Sequence, residues 1–511
     1  MIESRPLSAI CRILARNTAS NALFLFLNQA LGLCGYMVLM RLLNLPEYGV
    51  LMLVAVLIGH FTVLDLGLST GLEKFIPEYR ADGNEENIAR AITVTTTLFL
   101  LIGLICSIFF YVIAVFDYTW ILGVPKSMDV WSVFIAASII SLFYWPLQSF
   151  RSACRGFNLH HTVNKIRFSA QLVSLCAAAV AAYVAAPLYV VLICYLTPGI
   201  GAALAQWVLL GKVLDGARIK LDRECVRTFR AMFDYSIWVF LIRLSSQVTN
   251  RLDNVIVSVL LGVASVPIYY GAMRVLKLAV QVNSVLKSAV VPIASEVSLI
   301  HGPQKFASLG FRGLRMFNAV FSLVSLGIIV FAQPILLALG GEVLADQAVA
   351  VQLGIALLLP VAGRAFFNEM LIGSGQLIER QGHWAIATAA VYVAVLVVGT
   401  EYWSTTGAIL AHPVVHVVMG IWWLQYIASQ TELGVGRLLK AIALGQWPVW
   451  IGIGFFLLLS MTFSDNQIPI GYLVLLVIGG VAGTWVLGLD SSMRSSVSAR
   501  LLFVKADPQR V

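Results

Sequence analysis

The sequence predicts an all-α polytopic membrane protein with about 14 transmembrane helices. Its 511 residues are 59% hydrophobic and only 12% charged, with a mean hydropathy of +0.89, whereas soluble domains carry about 25% charged residues. Apolar runs of about 20 residues, the length that spans a bilayer core, recur along the whole chain. Lys and Arg concentrate in every second loop. These three observations exclude a water-soluble fold.

The candidate spans are apolar runs that end at charged residues, Pro or Gly. They cover approximately residues 20–40, 48–72, 92–116, 130–149, 168–186, 188–211, 235–261, 267–290, 316–339, 347–373, 384–400, 404–427, 447–463 and 468–488. The shortest connections are at Pro187, from Gly262 to Pro267, and at Tyr402.

The order of the spans predicts the organisation of the chain. We expect a cytoplasmic N-terminal segment, an N-lobe of helices 1–6, a basic cytoplasmic linker, a C-lobe of helices 7–12, a terminal helix pair and a cytoplasmic tail. The corresponding residues are 1–19, 20–211, 212–234, 235–427, 447–488 and 489–511. Within the first segment, Leu7, Ile10, Cys11 and Leu14 follow helical spacing, which favours an interfacial helix over a disordered tail.

The distribution of basic residues predicts the orientation. With the N-terminus in the cytoplasm, 26 of the 34 Lys and Arg residues lie in cytoplasmic loops, and only Arg41 and Lys126 lie in outer loops. Cytoplasmic loops of membrane proteins carry such an excess. Both termini are therefore predicted to be cytoplasmic, and the net charge of +9 is explained without a nucleic-acid partner.

Short loops and missing motifs argue against an enzyme. The longest outer loop, Asp117 to Asp129, has about a dozen residues, too few for a folded domain. The chain contains neither a P-loop nor HExxH, and His412-Pro-Val-Val-His416 lacks the glutamate of the zinc motif. The sequence therefore predicts no catalytic residue, no metal site and no cofactor.

Six basic residues remain inside the predicted spans. They are Arg243, Arg251, Arg274, Lys277, Lys287 and Arg364. A basic residue at the bilayer centre costs about 2.5–3.5 kcal/mol on insertion scales, so it normally faces a polar cavity or a partner. Lys287 lies near a helix end, where it can snorkel, and Arg364 can pair locally with Glu369.

The other four basic residues share helix faces with polar side chains. Arg243 and Arg251 share the polar face of span seven, and Arg274 and Lys277 that of span eight. The polar residues on these faces include Gln247, Asn250, Asn254 and Gln281. One interpretation is that these polar faces hold neighbouring helices together, with Asp253 paired to Arg274 or Lys277. A single carboxylate cannot neutralise four cations, so a cationic cavity for a phosphate or diphosphate is favoured.

Two further spans carry polar residues. Span one contains Asn21 and Asn28 on one face, which we expect to line the cavity. Asp65 lies deep in the second span. An isolated intramembrane carboxylate is either a cation or proton site or a hydrogen-bonded packing residue, and both readings stay open for Asp65.

The two halves of the chain align weakly at an offset of 218 residues, which superposes span one on span seven. This predicts two parallel six-helix lobes plus the terminal helix pair. The residues Arg41-Leu-Leu-Asn-Leu-Pro-Glu-Tyr-Gly49, Asp65-Leu-Gly-Leu68 and Asn250-Arg-Leu-Asp253, followed by Leu261-Gly262 and Ile268-Tyr269, resemble the polysaccharide-export flippases of the multidrug/oligosaccharidyl-lipid/polysaccharide (MOP) superfamily. Pro267 stands where that family usually has glycine.

The resemblance implies a function and a fold. It implies a V-shaped pair of lobes in the bacterial inner membrane that exposes a central cavity to each side in turn. The implied cargo is an undecaprenyl-diphosphate-linked oligosaccharide for lipopolysaccharide or exopolysaccharide synthesis. Membrane lipid and the polysaccharide polymerase and assembly proteins are the implied partners, and coupling to an H⁺ or Na⁺ gradient would make Asp65 or Asp253 the coupling residue.

Two alternatives belong to other functional classes. A cation-coupled multidrug antiporter of the same superfamily should present carboxylates to its cavity, which the basic spans oppose. A multi-pass glycosyltransferase or polymerase should carry a large outer domain, which the short loops oppose.

Overall fold

The computed structural model describes residues 7–65, 68–125, 130–157, 159–213, 222, 224–230, 244–245, 248–280, 302–363, 366, 378–430, 435–462 and 470–485. Within these ranges the chain is helical and contains no β-strand. Eight of the described helical segments are long and apolar enough to cross a membrane, and three shorter helices are also apolar. The predicted all-α, multi-pass membrane architecture is thereby confirmed.

Seventeen described helices follow one another along the chain. They are α1 (Leu7–Leu42), α2 (Leu45–His60), α3 (Leu68–Ala81), α4 (Glu85–Val115), α5 (Trp131–Tyr144), α6 (Gln148–Gly156), α7 (His160–Tyr183), α8 (Leu188–Val213), α9 (224–230), α10 (Asp253–Leu261), α11 (265–280), α12 (Gly302–Gly340), α13 (Glu342–Ala345), α14 (Ala348–Leu358), α15 (Ile378–Gln430), α16 (Val435–Thr462) and α17 (Ile470–Gly483). Short 3₁₀ segments cover Phe61–Asp65, Tyr118–Leu122 and Leu359–Val361, and a π-helical turn covers Val248–Leu252.

The described residues form two compact units. The first draws on Met1–Tyr270 and Gln381–Thr405, and the second on Gly271–Arg380 and Thr406–Val511. The lobe and linker limits taken from the sequence stay predictions, since residues 214–221 of the predicted linker lie outside the described ranges.

All three short connections predicted from the sequence interrupt helices. Ala185, just after α7, has φ 52°; Gly262, just after α10, has φ 83°; and Ser404, inside α15, has φ 53°. Positive φ is incompatible with the right-handed helix. These turns therefore separate consecutive helices as the sequence predicts.

The predicted second span is divided instead of continuous. Asn44 caps the start of α2, with its side chain accepting a hydrogen bond from Glu47 N. The helix ends at His60, a 3₁₀ turn follows to Asp65, and α3 begins at Leu68. The Oδ1 atom of Asp65 accepts a hydrogen bond from Ser69 N at 3.0 Å, so this carboxylate satisfies a donor at the start of the new helix.

One end of the first unit has its own apolar core. It is built from α3, α4, α6, α7 and α8, and its members include Leu72, Ile76, Ala91, Cys154 and Leu210. The core holds α6 and the start of α7 in place, so the basic side chains of these two helices are carried on a packed scaffold.

At the N-terminus, the predicted interfacial segment and the first span form one helix. The 36 residues of α1 correspond to a length of about 54 Å, more than a bilayer core requires.

Candidate functional site

Two of the motif segments that carry the family resemblance meet in the first unit, around the turn that joins α10 to α11. A Cβ atom at Gly49 of α2 would lie 2.1 Å from the carbonyl oxygen of Val263, so only glycine permits this approach. Val263 N donates a 3.0 Å hydrogen bond to the oxygen of Gly123. The two motif groups, far apart in the sequence, thus pack against each other.

Pro267 lies within this cluster. It is the third residue of α11, a position where the missing N–H of proline is tolerated because first-turn N–H groups have no intrahelical acceptor. Its carbonyl oxygen accepts a 2.9 Å hydrogen bond from the hydroxyl of Tyr36 in α1. Proline at this position is therefore compatible with the turn.

Asp253 occupies the buried centre of the same cluster. Its side chain is 0% exposed. Oδ2 accepts a 2.8 Å hydrogen bond from the hydroxyl of Tyr269, and Oδ1 accepts 2.8 Å bonds from both the backbone N and Nδ2 of Asn254. Both carboxylate oxygens thus have donors within the first unit, which is what a buried carboxylate requires.

The structure also locates three other predicted polar residues. Asn254 is buried, and its Oδ1 has no hydrogen-bond partner among the described residues. Asn28, on α1, is half-buried, and its Oδ1 likewise has no partner within the described ranges. Asp65 is 8% exposed and caps α3. Their proposed roles as cavity-lining or ion-coupling residues stay predictions.

Arg274 and Lys277 lie on α11 in the second unit. Both are half-buried, whereas Val275, Leu276 and Ala279 on the same helix are fully buried. Because positions three apart are neighbours on a helix surface, the two cations share one face. The predicted basic face of span eight is therefore present in α11.

The side chains of the remaining predicted site residues lie outside the described part of the chain. The described ranges do not include Arg243, Gln247, Gln281, Lys287, Arg364 or Glu369. Asn21, Asn250 and Arg251 lie on described helical backbone, but their side chains are outside the described part. Among the described residues, no group of three His, Cys, Asp or Glu side chains is placed to hold a metal ion.

The structure brings together two arginines that the sequence analysis assigned to cytoplasmic loops. Arg151 of α6 and Arg167 of α7 line a polar cavity of about 230 Å³ in the first unit. Gln171 and Ser174 line it from α7, and Gln206 lines it from α8. The sequence contained a signal for this site, because Arg167, Gln171 and Ser174 follow i, i+4, i+7 spacing.

Comparisons with known proteins agree with this architecture. The model of the family described as "Polysaccharide biosynthesis protein" matches residues 14–298, more than half of the chain. No curated protein sequence matches the chain.

Solved structures share the fold at low sequence identity. One is the lipid II flippase MurJ in an inward closed conformation, at a TM-score of 0.67 and 14% identity, covering 94% of this chain and 99% of that one. A multidrug resistance MATE transporter of the MOP superfamily, in an inward-facing conformation, matches with a TM-score of 0.64 and 14% identity. The match covers 81% of this chain and 96% of that one. A MOP superfamily transporter from Pyrococcus furiosus, described by the reverse polarity of its binding pocket, matches with a TM-score of 0.57 and 12% identity. The match covers 83% of this chain and 96% of that one.

Proposed function

The chain belongs to the polysaccharide biosynthesis protein family of the MOP superfamily, and from this we propose that it flips polyprenyl-diphosphate-linked oligosaccharide units across the bacterial inner membrane. The units would serve surface polysaccharide synthesis, and the chain would move them by alternating access. A protein of this kind transports its substrate without transforming it.

The observation that carries the proposal is the pair of cations on α11. Arg274 and Lys277 are half-buried on a helix whose other residues include fully buried Val275 and Leu276. Placing two cations on one face of an intramembrane helix is costly unless they meet water, a protein partner or an anion. Guanidinium and ammonium groups bind phosphate oxygens through charge-assisted hydrogen bonds, so a diphosphate is the ligand chemistry that this face favours.

The hydrogen-bonded centre at Asp253 supports the same proposal indirectly. Its two oxygens accept bonds from Tyr269 and Asn254, so this carboxylate is engaged in holding the α10–α11 turn. A pump for organic cations would need carboxylates available to its cargo. Coupling of transport to H⁺ or Na⁺ through Asp65 or Asp253 remains part of the proposal.

The decisive experiment is complementation of a bacterial strain that lacks its own polysaccharide flippase. Wild-type chain should restore surface polysaccharide, whereas Arg251→Ala and Arg274→Ala variants should abolish it at unchanged protein level. Arg274→Lys should retain part of the activity, because it keeps the charge and loses the bidentate geometry.

A matched control removes a cation at a site without this role. Arg227 of α9 is exposed and pairs with Glu224 at 2.9 Å, so Arg227→Gln should leave the polymer unchanged. Full polymer from the Arg251→Ala and Arg274→Ala variants would contradict the proposal, as would drug resistance conferred by overexpression without any effect on polysaccharide.

A further inference from the structure

A second cationic site lies in the first unit. The cavity between α5, α6, α7 and α8 has a volume of about 230 Å³, enough for a phosphate group and several waters. Its polar lining consists mainly of Tyr144, Gln148, Arg151, Arg167, Gln171 and Gln206. Arg151 belongs to a helical segment, Trp131–Gly156, that is apolar enough to cross a membrane.

Among the described residues, neither arginine of this cavity forms an ion pair with a carboxylate. Within the described residues, no Asp or Glu oxygen lies within 4 Å of either guanidinium. The nearby Glu73 pairs instead with Arg155, at 3.5 Å. The Nε atom of Arg151 is buried and has no hydrogen-bond partner among the described residues, so a donor of this site is left for a ligand or water.

Small residues keep the cavity open. Ala170 on α7 and Gly199, Ala202 and Ala203 on α8 line it, and a Cβ atom at Gly199 would lie 3.4 Å from the ring of Tyr144. The side-chain amides of Gln171 and Gln206 add donors beside the two guanidinium groups. This donor set suits an anion with several oxygens, since guanidinium forks bind phosphate bidentately.

An apolar groove on the neighbouring face of α8 indicates that such an anion is the head group of a lipid. The groove has a volume of about 1000 Å³ and is lined by Ile139, Phe143, Ile193, Ile200 and Leu204, among others. On α8 its residues lie about 120° from those of the cavity. Ile139 and Phe143 are more than half exposed, so the groove is open beside them.

The groove and the cavity are lined by residues that follow one another in the chain. Leu147 and Leu204 line the groove, whereas their chain neighbours Gln148 and Ala203 line the cavity. A molecule with a phosphate head and a long hydrocarbon chain would fill both, while a soluble phosphate would fill only the cavity. The combination of the two spaces therefore favours a lipid.

We propose that Arg151 and Arg167 bind the diphosphate of the lipid-linked substrate within the first unit, and that the apolar groove on the neighbouring face of α8 takes part of its polyprenyl chain. The inference rests on the proposed function for the identity of the lipid. It adds a site in the first unit, formed by residues other than the cations of α11, that binds the phosphate-bearing head.

The test is binding to the purified full-length chain in nanodiscs. Undecaprenyl diphosphate is the probe, and inorganic pyrophosphate and phosphatidylglycerol are the comparison ligands. Arg151→Gln combined with Arg167→Gln should weaken undecaprenyl diphosphate binding by about tenfold or more, the effect of losing charge-assisted hydrogen bonds. Arg155→Gln, one turn from Arg151 on α6, removes the same charge outside the cavity and should change binding less than twofold, about 0.4 kcal/mol or below.

Two further variants distinguish binding of the phosphate head from binding of the polyprenyl chain. Ala170→Leu fills the cavity without removing charge, so it should weaken binding even if the double variant fails to fold. Ile200→Trp narrows the groove, so it should weaken undecaprenyl diphosphate and leave pyrophosphate unchanged. Unchanged binding in the folded double variant or in Ala170→Leu would overturn the proposal. Equal competition by phosphatidylglycerol, or indifference to Ile200→Trp, would overturn the assignment to the substrate lipid.

Complementation distinguishes this inference from the proposed function. If wild-type chain restores surface polysaccharide and the folded Arg151→Gln, Arg167→Gln variant does so equally well, the second site is wrong and the function stands. If wild-type chain restores none, the function is wrong, and the binding measurements then decide the lipid site alone.

Discussion

The hydroxyl of Tyr269 donates a 2.8 Å hydrogen bond to Oδ2 of Asp253, a carboxylate that is 0% exposed. Asp253 is the first residue of α10 and Tyr269 the fifth of α11, so the bond spans the turn at Gly262 and joins two helices. Unpaired buried charge is costly. The bond therefore fixes the turn and satisfies the carboxylate at once.

Tyr269→Phe should lower the free energy of unfolding by about 1.5–3 kcal/mol, the value of a hydrogen bond to a charged group. Thermal unfolding of the purified protein in detergent measures the change. Tyr118→Phe is the matched control, because Tyr118 is exposed, stacks on Phe116 and has no hydrogen bond from its hydroxyl within the described residues. A shift of equal size in both variants would mean that the Tyr269 hydroxyl contributes nothing specific.

The turns and the family motifs could be predicted from the sequence because they depend on local chemistry. Gly262, Pro187 and Tyr402 mark points where apolar periodicity stops. The helices end or break within four residues of each, at Leu261, at Tyr183 and at Trp403. The division of the second span was missed, since residues 48–72 read as one apolar run and nothing in that run showed that Asp65 would cap α3.

The cavity at Arg151 and Arg167 was missed for a different reason. Counting basic residues by loop treats each charge as a marker of topology, and Arg167 lies directly before a predicted span. The structure extends α7 back to His160, which places Arg167 on a helix with Gln171. The meeting of α6, α7 and α8 depends on tertiary packing, which periodicity alone does not contain.

Gly123→Ala should prevent normal folding of the first unit. Gly123 has φ 74°, and a Cβ atom there would lie 1.7 Å from the carbonyl oxygen of Ser258, so both the backbone conformation and the packing against α10 require glycine. We expect a loss of the monodisperse peak in size-exclusion chromatography of detergent extracts.

Gly201→Ala is the control for this substitution. Gly201 lies within α8 and has open space around its Cβ position, so alanine should leave stability unchanged or raise it by up to about 1 kcal/mol. Normal yield of Gly123→Ala would contradict the close approach of the 118–123 turn to α10.

The orientation predicted from basic residues can be tested with paired reporters. A fusion of alkaline phosphatase after Asp117 should be active, because the enzyme requires the periplasm, and a fusion after Lys212 should be inactive. A cytoplasmic fluorescent reporter at the same two points should give the opposite pattern. The outcome follows from the excess of Lys and Arg between α8 and α10. Reversed activities at both points would show that the predicted orientation is wrong. Equal activities would show that the number of membrane crossings between Asp117 and Lys212 is even, whereas the prediction requires an odd number.

Protonation of Asp222 should release α9 only at low pH. Arg90 Nε of α4 donates a 2.8 Å hydrogen bond to Asp222 Oδ2, and Cys225 N at the start of α9 donates one of 3.2 Å to Oδ1. The hydrogen bond from Arg90 is the main reason that the pKa of Asp222 is held below its ordinary value of 3.8. A carboxylate with a lowered pKa stabilises the folded state above its ordinary pKa, and that contribution is lost as the pH falls through the lowered value.

Hydrogen exchange of residues 224–230, corrected for intrinsic rates, therefore should show constant protection from pH 7 to about pH 5 and a decline below about pH 4. Asp222→Ala removes both hydrogen bonds, so residues 224–230 should already lack protection from hydrogen exchange at pH 7. Glu224→Gln is the control: Glu224 forms an ion pair with the exposed Arg227 and has no hydrogen bond to Arg90 among the described residues. The loss of its charge should therefore change the profile little. A decline of wild-type protection between pH 7 and pH 5, or wild-type protection in Asp222→Ala, would show that the contact with Arg90 does not hold α9 against α4.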